Sequence, residues 1–133
     1  MDLGETPYGL QRDVASEDFA SVVETVRSAL AAQGFGVLTE IDIEATLRAK
    51  LGAEVGEYLI LGACHPPSAL AMLQAEPGIG MLLPCNVVVT RRSEGISVSA
   101  VDPLAMVRIT GRPELEAGAC AVREMLCAAL DAL

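Results

Sequence analysis

The chain has 133 residues, 52% hydrophobic and only 3% aromatic, which predicts one aliphatic-core domain over residues 7–133 after a loose leader at residues 1–6. It carries 18 acidic against 9 basic residues, a net charge of −9, which argues against nucleic acid and anionic membrane surfaces as partners. No apolar run reaches the roughly 18 residues of a membrane span, so we expect a cytoplasmic protein whose cysteines are reduced.

The first third of the chain predicts a strand, a helix and a second strand. The first strand is Tyr8 to Val14, where hydrophobic and polar residues alternate. Ser16 is the expected N-cap of a helix over residues 17–33, because the apolar residues there recur at helical spacing. Gly34 is the expected helix stop, and the β-prone run from Phe35 to Ile41 follows as the second strand.

The middle third predicts two short helices on either side of a third strand. Asp42 is suited to cap the first of these helices and Gly52 to end it. The apolar run from Glu57 to Cys64 predicts the third strand. Pro67 fits the first turn of a second short helix that extends through Leu73, because that turn leaves its backbone N–H groups unused.

The last third predicts a turn, two strands and a long final helix. Residues 76–80 combine proline with glycine, as turns do. Met81 to Arg91 and Ile96 to Val101 are predicted as the fourth and fifth strands, joined by a short turn. The apolar residues of 113–132 form one stripe, which is typical of an amphipathic helix.

The order of these elements predicts a two-layer α/β fold. We expect a mixed sheet of about five strands, because the early β-α-β order favours parallel pairing and the late hairpin favours antiparallel pairing. The helices over residues 17–33 and 113–132 each have a single apolar stripe, so both are expected on the same face of the sheet.

The third and fourth strands indicate how the other face of the sheet is covered. Residues 59–61 and 87–89 are apolar at every position, whereas a strand exposed on one face alternates. Both faces of the sheet centre are therefore expected to be covered, by helices or by a second subunit. We predict a homodimer, because a monomer would otherwise expose an apolar patch.

Four blocks of sequence resemble the bacterial and archaeal family named domain of unknown function 302. These blocks follow one another in the family's order and are Gly34–Asp42, Thr46–Gly52, Tyr58–Pro66 and Gly80–Val89. The similarity extends from Tyr8 to Pro103 and implies a compact two-layer α/β domain that forms a homodimer. It implies no activity, because none is established for the family. His65 stands where relatives usually have Asn before the proline, and it is a more basic group that can bind metal.

Two cysteine segments form the candidate site. Each joins a β-prone run to a cysteine and a proline, and Pro66 and Pro84 disturb strand pairing there. The candidate ligand-binding residues are Cys64, His65, Cys85 and Asn86. A helix start and a neighbouring imidazole both favour a thiolate. Two thiolates and one imidazole suit Zn²⁺ or Cu⁺, so Cys64, His65 and Cys85 are also the candidate metal ligands.

The roles of the two cysteines stay open at this point. Packing is favoured, because free cysteine is among the most buried residue types and the chain lacks C-x-x-C spacing and a full ligand set. Cys64 and Cys85 are expected on one face of adjacent strands, with Gly62 adding space beside them. The chain is interpreted as a binding or accessory protein with a small-ligand or metal site. The alternative is a thiol-dependent redox enzyme or a sulfur or metal carrier, so enzymatic activity is left open.

Overall fold

A five-stranded sheet is the centre of the molecule. The computed structural model describes residues 1–133. The strands are β1 (Gly9–Val14), β2 (Gly36–Asp42), β3 (Tyr58–Cys64), β4 (Cys85–Arg91) and β5 (Ile96–Val101). They lie in the order β1-β5-β4-β3-β2, and every neighbouring pair is antiparallel. The predicted α/β class with five strands is confirmed, while the pairing is antiparallel throughout instead of mixed.

The antiparallel pairing follows from how the connections run. The links from β2 to β3 and from β3 to β4 each contain a helix, yet each returns the chain alongside the strand it has just left. A parallel neighbour requires a crossover connection over the sheet. A helix between two strands in the sequence is therefore not sufficient to predict a parallel β-α-β unit.

Five α-helices accompany the sheet. They are α1 (Phe19–Ala32), α2 (Ile43–Leu51), α3 (Pro66–Ala75), α4 (Pro103–Thr110) and α5 (Glu116–Asp131). Short 3₁₀ helices cover Pro77–Leu82 and Pro113–Leu115. No helix has both the length and the apolar character that crossing a membrane requires.

The starts of α1 and β4 lie a few residues later than predicted. Asp18 and not Ser16 caps α1, because the Asp18 side chain accepts a hydrogen bond from the Ser21 backbone N–H at 3.1 Å. β4 begins at Cys85 instead of Met81, because the residues before it form a 3₁₀ helix that ends at Leu82. Both differences move an element boundary by a few residues and leave the element order intact.

The sequence prediction omits helix α4. The Asp102 side chain accepts a hydrogen bond from the Leu104 N–H at 3.0 Å, and Pro103 occupies the first turn. This Asp-Pro pair ends β5 and also has the form of a helix start signal. The final helix is correspondingly shorter than predicted, because Pro113 opens a 3₁₀ turn and α5 begins at Glu116.

The core lies between one face of the sheet and the helices. Leu61, Val87, Val89 and Val98 are at most 1% exposed. They belong to one apolar cluster with the inward stripes of α1 and α5. Both helices therefore pack on the same face of the sheet, as predicted from their single stripes.

The opposite face of the sheet, which we call the open face, is only partly covered. Paired residues share a face, and the register assigns to this one Thr39, Ile41, Tyr58, Ile60, Asn86, Val88, Ser99 and Val101, none of which is buried. Thr90 and Ser97 also lie on it, at 0% exposure, and their hydroxyls have no hydrogen-bond partner. The centre of the open face is thus apolar and half exposed.

The N-terminal stretch contacts the open face and its edge. Residues 1–6 contain no helix or strand. The Met1 ammonium group donates a hydrogen bond to the Arg91 carbonyl at 3.2 Å. Leu3 lines a cavity on the open face together with Tyr58. Part of the open face is therefore covered by this stretch of the same chain.

Candidate functional site

A cavity of about 330 Å³ lies at the end of the sheet where β3 finishes and β4 begins. Helices α3, α4 and α5 supply its walls together with the ends of these strands. Thirteen of its 18 lining residues are hydrophobic. We call this cavity the end pocket. Its size and lining are typical of sites that bind small molecules.

The end pocket results from the prolines between β3 and α3. Pro66 and Pro67 follow β3 after one residue, His65, and have no N–H to donate to a strand partner, so the sheet stops at Cys64. The same prolines suit the first turn of a helix, and α3 starts at Pro66, so Pro67 lies in its first turn as predicted. The chain therefore turns from strand to helix within two residues and leaves space beside the strand end.

Three of the four residues predicted to bind a ligand line the end pocket. They are Cys64, His65 and Cys85. Asn86 is placed elsewhere: it lies on the open face, where it lines a separate cavity of about 290 Å³ with Tyr58 and Ser99. Successive residues of a strand point to opposite faces, so neighbours in the sequence such as Cys85 and Asn86 are separated by the sheet.

The register between β3 and β4 corrects the predicted arrangement of the cysteines. The two strands are adjacent, as expected, but Ala63 and not Cys64 pairs with Cys85. Cys64 therefore has the opposite strand parity to Cys85 instead of sharing its face. Both still reach the end pocket, because Cys64 is the last residue of β3, where the chain leaves the sheet.

The space predicted at Gly62 is also occupied. A Cβ atom at residue 62 would lie 2.8 Å from the Pro84 Cγ and would clash with the Thr39 hydroxyl. These side chains pack over Gly62 on the open face and leave no room for a ligand there. The glycine thus permits close packing of β2 against the start of β4, and it does not enlarge the site.

His65 is held in one orientation by its neighbours. It is the N-cap residue of α3, and its Nδ1 lies 2.7 Å from the Ser68 Oγ. Its ring packs at 57° to that of Phe35, with centroids 5.6 Å apart. A Cβ atom at residue 34 would approach the His65 Nε2 to 3.3 Å, so the glycine at that position lets the imidazole lie close to the backbone there.

Cys85 is a neutral thiol at physiological pH. Burial raises the pKa of the Cys85 thiol to about 11, and the nearby Cys64 thiol adds to the rise. Nucleophilic attack and disulfide exchange require the thiolate, so this environment disfavours both. All four cysteines of the chain are unpaired. The geometry therefore gives no support to a redox pair of Cys64 and Cys85.

The predicted Zn²⁺ or Cu⁺ site is not formed by this arrangement. No group of three or more His, Cys, Asp or Glu side chains in the molecule is placed to hold a metal ion. Cys64, His65 and Cys85 share a pocket, but their side chains are not placed together as a set of three metal ligands. The expectation of a metal site is therefore corrected to that of an apolar pocket.

The end pocket is lined by no carboxylate, ammonium or guanidinium group. Its lining includes no Asp, Glu, Lys or Arg, and the polar side chains are Cys64, His65, Ser68 and Cys85. An ionised ligand would lose its hydration in such a pocket without gaining a counter-ion. The site is therefore suited to a neutral molecule.

Sequence reasoning missed helix α3 as a pocket wall and Ser68 as a site residue. α3 contains no charged residue over its 10 positions and none of its residues is buried, although Leu73 and Met72 are large and apolar. The absence of charge over these 10 positions is the signal that the sequence itself offers. Ser68 follows His65 at helical i, i+3 spacing, so their contact is also readable from the sequence.

Comparisons with known proteins give one family and one structural relative to report. A family model described as "Domain of unknown function DUF302" matches residues 11–133, which include every residue that lines the end pocket. The crystal structure of an uncharacterized conserved DUF302 protein from Bacillus stearothermophilus is similar, with a TM-score of 0.89 and 26% sequence identity. The similarity covers 96% of this chain and 98% of that chain. Among curated proteins no match is found.

Proposed function

The chain belongs to the DUF302 family, and on that premise we propose that it binds a small, largely apolar molecule in the end pocket. The single observation that supports this function is the pocket itself: about 330 Å³ of space, mostly hydrophobic walls and one fixed imidazole. The proposal includes a cytoplasmic location, because four unpaired cysteines fit a reducing compartment. It assigns no catalytic step to Cys64 or Cys85.

The volume of the end pocket sets the size of the molecule. An engineered apolar cavity of about 150 Å³ holds one benzene. A pocket of about 330 Å³ is roughly twice as large, so it has space for a ligand roughly two to three times the size of benzene. Met72 and Met106 line the walls, and flexible thioether side chains adapt to more than one ligand shape.

We expect the substitution Ala69→Phe to block the end pocket. Ala69 lines the pocket from α3, so a phenyl ring there takes the space of a ligand. The neutral dye phenylnaphthylamine should bind the wild type with a saturable rise in fluorescence, and its affinity should fall at least tenfold in the variant. Ala71→Phe is the matched control, because Ala71 lies on the same helix, is exposed and does not line the pocket.

Equal dye binding by the wild type and by both variants would contradict the proposed site. Circular dichroism of each variant separates loss of binding from loss of the fold. Saturable binding that only Ala69→Phe removes would support the end pocket as the place where the molecule binds.

We also infer that a second copy of the chain covers the open face. The central residues of that face, among them Tyr58, Ile60 and Val88, are apolar or neutral and half exposed. A chain with a net charge of −9 repels itself over most of its surface, and the uncharged centre of the open face avoids that repulsion. Shape and charge thus favour a homodimer with a two-fold axis on this face.

We expect light scattering to give a mass of about twice the 13.9 kDa of one chain at micromolar concentration. Ile60→Asp should shift the mass to that of one chain, because it places a carboxylate against its own copy in the middle of the face. Ile109→Asp should leave the mass unchanged, because Ile109 is 72% exposed on α4, away from the sheet. A wild-type mass near that of one chain would contradict the dimer.

A further inference from the structure

The polar groups of the end pocket are concentrated at one place, the junction of β3 with α3. Cys64, His65 and Ser68 follow one another there, and the remaining walls are almost entirely apolar. Thiols are weak hydrogen-bonding groups, which leaves the imidazole and the serine hydroxyl as the strong ones. A ligand therefore meets a single polar point at one end of an apolar pocket.

One nitrogen of His65 is free to bond a ligand. Nδ1 and the Ser68 hydroxyl are already partners at 2.7 Å. Nε2 makes no hydrogen bond within the protein, and the glycine at residue 34 spares it the contact at 3.3 Å that a Cβ there would make. In one tautomer of the ring Nε2 donates a hydrogen bond, and in the other it accepts one. A hydroxyl group can do both, so it fits Nε2 in either tautomer.

We propose that the ligand of the end pocket is a neutral alcohol, with its hydroxyl group on the His65 Nε2 and its apolar body against the methionine and leucine walls. The proposal deepens the function proposed above and rests on it. A carboxylate would find no Lys or Arg in the lining and an ammonium group no Asp or Glu, so the lining favours a neutral head group over either. The net charge of −9 on the whole chain disfavours anions further.

Compounds with similar hydrocarbon tails and different head groups test whether the ligand is an alcohol. Octanol, octanoate, octylamine and nonane are each used to displace phenylnaphthylamine from the wild-type protein. We expect octanol to bind at least tenfold more tightly than the other three, because only it places a neutral hydroxyl on Nε2. If octanoate, octylamine or nonane binds as tightly as octanol does, the proposal is overturned.

Two variants assign the preference to His65. His65→Phe keeps an aromatic ring against Phe35 and removes both nitrogens. The affinity for octanol should therefore fall about tenfold, to the affinity for nonane, because one hydrogen bond is lost. Cys120→Ala is the control, because Cys120 lies on α5 outside the end pocket and its loss leaves the imidazole in place. An undiminished preference for octanol in His65→Phe would overturn the assignment.

The two proposals fail in different ways. If the dye binds and all four compounds displace it equally, the proposal of an alcohol ligand is wrong, while the proposal of an apolar binding pocket is still supported. If the dye does not bind the folded wild type and none of the compounds raises its melting temperature, the proposed function fails and the alcohol fails with it.

Discussion

Gly62→Ala should lower the free energy of unfolding by about 2 kcal/mol or more, the upper part of the range for overpacked positions. The added methyl group meets the Thr39 hydroxyl and lies 2.8 Å from the Pro84 Cγ, and the proline ring cannot rotate away. Gly62 is also buried in the central strand β3, so a backbone shift there disturbs both neighbouring strands. Urea denaturation of the wild type and the variant measures the loss.

Gly36→Ala is the matched control for this prediction. Gly36 lies on the adjacent edge strand β2, and a Cβ at residue 36 would meet nothing within 4 Å. We expect that variant to stay within about 0.5 kcal/mol of the wild type, as surface substitutions do. Adding Thr39→Ala to Gly62→Ala should recover part of the loss, because it removes one of the two clashes. A Gly62→Ala protein as stable as Gly36→Ala would contradict the packing described for Gly62.

Local signals in the sequence were sufficient to predict most of the elements and the place of the site. Asp42 and Gly52 mark the two ends of α2 as predicted. The Asp42 side chain accepts a hydrogen bond from the Ala45 N–H at 2.9 Å, and Gly52 has a φ of +63°. These signals act over three or four residues, so they can be interpreted without the rest of the fold. The strand ends at Cys64 and Cys85 follow in the same way from the prolines beside them.

Strand register could not be predicted from the same information. A shift of one residue moves every side chain of a strand to the other face. β2 contains an irregularity between Val37 and Thr39, and the pairing of Ala63 with Cys85 depends on how three strands and two long connections fit together. The sequence therefore indicated that Cys64 and Cys85 are close, and it could not place them on the correct faces.

The chemistry of the site also depends on distant residues. Cysteine and histidine together suggested metal binding, yet the pocket in which Cys85 is buried also has walls from α4 and α5, including Met106 and Val122. These helices are far from the cysteine segments in the sequence, and α4 was not predicted. Burial by such walls changes a metal-binding pattern into a neutral pocket, because the charged forms lose their hydration.

We expect the stability of the wild-type protein to fall by about 2 kcal/mol between pH 8 and 10.5 through Cys85 alone. Burial raises the pKa of the Cys85 thiol from 9.0 to about 11 in the folded chain. Above pH 9 the unfolded chain releases this proton while the folded chain retains it, so the unfolded state gains free energy of ionisation. The contribution is therefore complete below pH 9 and is lost as the pH rises towards 11.

Urea denaturation at several pH values measures this effect when the wild type is compared with Cys85→Ala. All other titratable groups are the same in both proteins, so the difference between the two stability curves isolates Cys85. Cys120→Ala is the matched control, because Cys120 lies half exposed on α5, outside the end pocket. Its curve should run parallel to that of the wild type. If the Cys85→Ala curve also runs parallel to that of the wild type, Cys85 ionises as readily in the folded protein as in the unfolded chain. In that case nucleophilic attack and disulfide exchange by a Cys85 thiolate are no longer disfavoured.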